Sequence, residues 1–110
     1  MSGPFSALDY QLAVERLHGC SATFRETVRV VDVFWGEVAI DADVHVFELV
    51  GHPSAKLAYA WSQQVEGSTE PRILAILQQP PVFSPLGAVR AATVAHAKRR
   101  AIEDLKDRHD

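Results

Sequence analysis

Asp41, Asp43 and His45 stand at alternate positions of one apolar-rich run, Val38 to Val50. Two carboxylates and an imidazole are the groups that hold a divalent ion or exchange protons as an acid and base pair. Side chains alternate along a strand, so all three would share one face, with about 6.6 Å between neighbours. That spacing is wide for ligands of a single ion unless the strand bends. The same pattern also describes the wet face of an amphipathic strand. A straight hairpin with the preceding run would place Glu26 opposite His45.

Other residues with chemical potential are few. His52 lies in the turn Gly51-His52-Pro53, where an imidazole either binds a ligand or caps the turn. Cys20 follows Gly19 at the end of the first expected helix, where the negative end of the helix dipole disfavours a thiolate. Tyr59 and Trp61 are large amphipathic rings on one strand face and would floor a pocket between sheet and helix. Trp35 and Phe47 join them as expected ligand-binding residues.

The elements that must carry these residues are legible. Ser6 is a helix cap, Asp9 falls three positions later, and Gly19 is a left-handed stop, so a helix is expected over Ala7 to His18. Phe5 and Tyr10 form a hydrophobic staple, and Tyr10, Ala13, Val14 and Leu17 make an apolar stripe. A strand from Ala22 to Phe34 turns at Trp35-Gly36 into a return strand. There Val38, Ile40, Ala42, Val44 and Val46 share one face, opposite Glu37, Ala39, Asp41, Asp43 and His45. Beyond His45, Phe47 and Leu49 bring apolar side chains to the polar face, so this half of the strand is expected to be covered on both sides.

A third strand, Ala55 to Ser62, sets Leu57, Tyr59 and Trp61 against Lys56, Ala58, Ala60 and Ser62. The small residues would lie beneath a helix. Gln63 to Arg72 is a loop, and Ile73 to Leu77 is a fourth strand, apolar on both faces and therefore buried. Pro80 and Pro81 end it. Ser84 and Pro85 open a last helix that would run to about Asp107, with Ala88, Ala91, Ala92, Ala95, Ile102 and Leu105 on its apolar face. Arg99 with Glu103 and Arg100 with Asp104 are spaced to pair on its solvated face.

The fold class is thus α+β: an N-terminal helix, a four-stranded antiparallel meander sheet, and a long C-terminal helix packed on the sheet. Its 110 residues form a single domain, 47% apolar, with a formal charge of -3 that draws it neither to nucleic acid nor to an anionic membrane. The N-terminus has no signal-peptide pattern, no run is long enough for a membrane span, and one cysteine rules out an internal disulfide. A soluble cytoplasmic protein is expected.

Helix, strands and closing helix are also the element order of a double-stranded-RNA-binding domain. That family's basic cluster opens its last helix, whereas Ser84-Pro85-Leu86-Gly87 opens this one and Lys98, Arg99 and Arg100 come over three turns later. Nucleic acid is therefore set aside. The arrangement is also similar to cystatin-like folds, in which a helix packs on a curved antiparallel sheet and a pocket can form beneath it; no motif adds to that likeness.

If both helices cover one sheet face, Trp35, Phe47, Leu49 and one of the pairs Val31/Val33 or Val28/Val30 are left on the other. An uncovered apolar face implies a partner, so a homodimer is expected, together with a small apolar ligand and no cofactor. The expected function is a homodimeric interaction or small-molecule-binding domain without catalysis. The alternative is a small enzyme that uses His45 with Asp41 or Asp43 as an acid/base or metal site.

Overall fold

A computed structural model describes residues 5–34, 37–64 and 70–93 of the chain. The helix α1 spans Ala7–His18, and its ends are those the sequence implies. Ser6 Oγ accepts from Asp9 N at 3.2 Å, while Asp9 Oδ2 accepts from Ser6 N at 2.8 Å. This reciprocal box satisfies two otherwise unpaired donors, and a cap of this kind is worth about 1 kcal/mol. Phe5 meets Tyr10 edge to face at 5.9 Å between ring centres, closing the staple. Gly19 ends the helix at φ 63°, a conformation costly for any residue with a Cβ, and its N–H donates to Glu15 O.

Four strands follow: β1 (Ser21–Phe34), β2 (Glu37–Val50), β3 (Leu57–Gln64) and β4 (Pro71–Leu77). They pair antiparallel in chain order, the expected meander. Gly51, at φ 89°, begins the link between β2 and β3, and His52 caps that link, its Nδ1 accepting from Ser54 N and Ala55 N at 3.1 and 3.0 Å. The turn histidine is therefore engaged by its own backbone. After β4 the chain passes the cis Pro80–Pro81 bond into a helix, α2, over residues 85–93. Ser84 caps it, accepting from Gly87 N at Oγ and from Ala88 N at its carbonyl. The expected continuation of this helix to Asp107, with Lys98, Arg99 and Arg100, lies outside the described residues, as do Trp35 and the turn at Gly36.

The two helices take opposite faces of the sheet, which corrects the expectation that both cover one. Tyr10 and Val14 of α1 pack with Ala22, Phe47, Ala58 and Ala60. Ala88 and Val89 of α2 pack with Val30, Val44, Val46, Tyr59 and Trp61. Strand alternation explains the division. Odd and even positions of β3 are both apolar, large on one side and small on the other, so each face needs its own cover. The alanines let α1 approach closely, as their size implied, while Tyr59 and Trp61 lie under α2.

Two local expectations also change. Leu17 is solvent-exposed, because the side of α1 that meets the sheet runs through Tyr10, Val14 and His18, four residues apart. At that end His18 Nε2 donates to Ala75 O at 3.3 Å and Glu15 Oε2 accepts from Ala22 N at 2.9 Å. Ile73 to Leu77 of β4 are half-buried rather than buried, since β4 pairs only with β3 and forms the sheet's edge. Leu74 and Ile76 turn to the α2 side, and Ile73, Ala75 and Leu77 to the α1 side.

Candidate functional site

A cleft of about 440 Å³ opens where the sheet divides. β2 pairs with β3 only over His45–Glu48 against Leu57–Ala60. Towards its N-terminus β2 continues against β1 alone, and β3 continues from Trp61 to Gln64 against β4. The hairpin thus leaves the sheet as a two-stranded arm. Asp43 and His45 wall the gap on one side and Ser62 on the other, and Phe5, Ser6, Ala7 and Tyr10 at the start of α1 lie across it. Phe24 and Thr27 of β1 complete the wall.

Two bulges decide which residues meet in the arm. The β1–β2 register breaks between Asp32 and Val33, where Ala39 of β2 is the extra residue, and again between Phe24 and Glu26, where Arg25 is extra. Between the breaks the pairing is displaced by one residue. Thr27 therefore faces His45, Arg29 faces Asp43, and Glu26 falls opposite Val46, which corrects the expected Glu26–His45 pairing. A slip of one residue exchanges faces. It sends Val28 and Val30 to the α2 side and leaves the cleft side with Thr27, Arg29 and Val31.

Each candidate residue acquires a partner from this register. Arg29 lies 2.6 Å from Asp41 and 3.6 Å from Asp43, so one guanidinium serves both carboxylates. All three side chains are about half exposed, and such pairs contribute about 0–1 kcal/mol in water. His45 Nδ1 and Thr27 Oγ1 share a hydrogen bond of 2.9 Å. The imidazole lies tilted at 43° to the Tyr10 ring, 4.2 Å between centres, and 6.4 Å from Phe24. Burial pushes the His45 pKa below its ordinary 6.5, against a smaller opposing pull from Asp43, so the ring is uncharged at neutral pH. Among the described residues, no three histidine, cysteine or acidic side chains come together as a possible metal site.

Of the expected ligand-binding residues, Trp35 lies outside the described residues, Tyr59 and Trp61 share one core cluster and Phe47 belongs to the other. Tyr59 and Trp61 are 2% and 1% exposed in the α2-side core, and Phe47 is fully buried in the α1-side core. Gln78 Nε2 donates to the Tyr59 hydroxyl at 3.1 Å, and burial raises that hydroxyl's pKa. Sequence reasoning missed Arg29, Thr27, Phe24 and the start of α1 as parts of the site. Their alternation is visible in the sequence, but their register is not.

The far side of the arm is tied down by a second ion pair. Asp32, buried on the α2 side, accepts two hydrogen bonds from Arg90, at 2.7 Å from Nε and 2.9 Å from Nη2. These bonds hold the Asp32 carboxyl below its usual pKa and fix the arm against α2.

Fold and site together define a two-sided α+β domain: a four-stranded meander between two helices, with an aromatic and acidic cleft at the root of a hairpin arm. Compared with protein-family models, curated proteins and solved structures, the chain gives no significant match. No helix among the described residues is long and apolar enough to cross a membrane.

Proposed function

We propose that the chain is a small-molecule-binding domain whose ligand occupies the cleft between the start of α1 and the β1–β2 arm. The observation that carries this reading is the divergence of β2 from β3 beyond His45, which leaves a concave space walled by aromatic rings and a few polar groups. The same residues suggest acid and base chemistry less well. An uncharged imidazole in a cleft is a competent base, and the Thr27 bond occupies only its Nδ1, but Arg29 engages both carboxylates that would pair with it. Binding without catalysis is the better supported function.

A fragment screen followed by backbone-amide NMR tests it. Ligands are expected to shift the amides of Ser6, Ala7, Thr27, Asp43, His45 and Ser62 as a group. A screen in which binders perturb only other surfaces, or in which none binds, overturns the reading.

Homodimerisation is the second reading, and it rests on edge strand β1. Phe24, Val31 and Val33 are 46%, 50% and 53% exposed along that strand, which pairs on one side only. An exposed apolar edge is a template for another strand. Light scattering on the eluting protein should give the mass of two chains, and the mass of one chain across a wide concentration range removes this reading.

A further inference from the structure

The character of the cleft narrows what it can hold. Its lining carries Asp41 and Asp43 and, among the described residues, no lysine or arginine. Arg29 reaches these carboxylates by pairing across the arm, so two negative charges are met by one positive charge. Four rings share the lining with small and hydroxyl side chains. Phe5 is half-buried and Phe24 is 46% exposed, and Tyr10 and His45 lie between them in a series of edge-on and tilted contacts, with neighbouring centres 4.2 to 6.4 Å apart. Aromatic faces carry negative potential and attract cations within about 6 Å, most strongly where water is partly excluded. The His45 ring, uncharged at neutral pH, does not oppose a cation.

We infer that the cleft takes a small organic ammonium ion, its charged head at the carboxylates of Asp41 and Asp43 and its carbon groups against the rings that share the lining. This inference rests on the ligand-binding reading above and adds the class of ligand. Arg29 acts on such a ligand as an internal competitor, because the guanidinium and the ammonium seek the same two carboxylates. Its removal should therefore strengthen binding, which is the reverse of what loss of a binding-site residue ordinarily does.

The experiment is an amide NMR titration of the whole chain at neutral pH with choline and with 3,3-dimethylbutan-1-ol, its uncharged isostere. Choline is expected to shift Ser6, Ala7, Thr27 and His45 in a saturable way, and the isostere to bind them at least about fivefold more weakly. Asp43→Asn should weaken choline by about fivefold, and Arg29→Gln should tighten it by a similar factor. Both positions are exposed enough for the variants to fold, and the unperturbed amides of β3 and β4 verify that they do.

Equal binding of choline and the isostere at these amides overturns the ammonium inference and leaves the cleft as a ligand site. Indifference of choline affinity to both substitutions overturns it in the same way. If neither probe binds while other fragments shift the same amides, the ligand class is wrong and the site stands. If nothing shifts them, both readings fall.

Discussion

Replacing Trp61 by alanine is expected to lower the unfolding free energy by about 3–5 kcal/mol. The indole is 1% exposed beneath α2 among Val30, Val44, Val46, Tyr59 and Val89, and its loss leaves a void that these side chains can only partly close. A domain of this size has about 5–15 kcal/mol in total, so the change removes a large share of it. Urea unfolding followed by far-ultraviolet circular dichroism measures the shift in midpoint. A loss below about 1 kcal/mol would mean that the indole is not in the core and that α2 does not sit on this face. The indole N–H adds little to the effect, since its bond to Gln63 Oε1 is long, at 3.4 Å.

The second large effect is expected at Phe47, on the other side of the sheet. Phe47→Ala should also cost about 3–5 kcal/mol, because the ring is fully buried between α1 and the strands. The ring also stands edge to face with Phe24 at 5.9 Å, and such a pair adds about 0.5–1.5 kcal/mol to simple burial. Phe47 and Trp61 belong to separate clusters divided by the sheet. The milder pair Phe47→Leu and Trp61→Phe should therefore combine additively, to within about 0.5 kcal/mol. A coupling energy clearly above that figure would show that the two rings share one core and that the helices do not occupy opposite faces.

The local rules in the chain were readable because their causes lie within a few residues. Ser6, Asp9 and Gly19 delimit α1 by hydrogen bonds that span three or four positions, and Ser84 with Pro85 opens α2 in the same way. Alternation in β3 separated Tyr59 and Trp61 from Ala58 and Ala60 correctly, because a strand has no other way to place neighbours. The site was only half readable. Asp41, Asp43 and His45 line one cleft, whereas their spacing implied only that they share a strand face. Arg29 and Thr27 were not foreseen as their partners, and Glu26 was set one residue out of register, since the bulges at Ala39 and Arg25 have no local signature as clear as a turn glycine.

Over the described residues the sequence by itself determined the elements, their order and which residues alternate along each strand, all of which follow from short-range hydrogen bonds and from the two-residue period of a strand. Tertiary structure alone decided three things: that the helices lie on opposite faces, that the arm's register slips by one between its bulges, and that β2 and β3 part beyond His45. Each depends on where apolar surface from distant segments is buried. The slip brings Val28 and Val30 under α2 and leaves Arg29 beside the two carboxylates, a choice set by the packing of the whole domain rather than by any residue's neighbours in the chain.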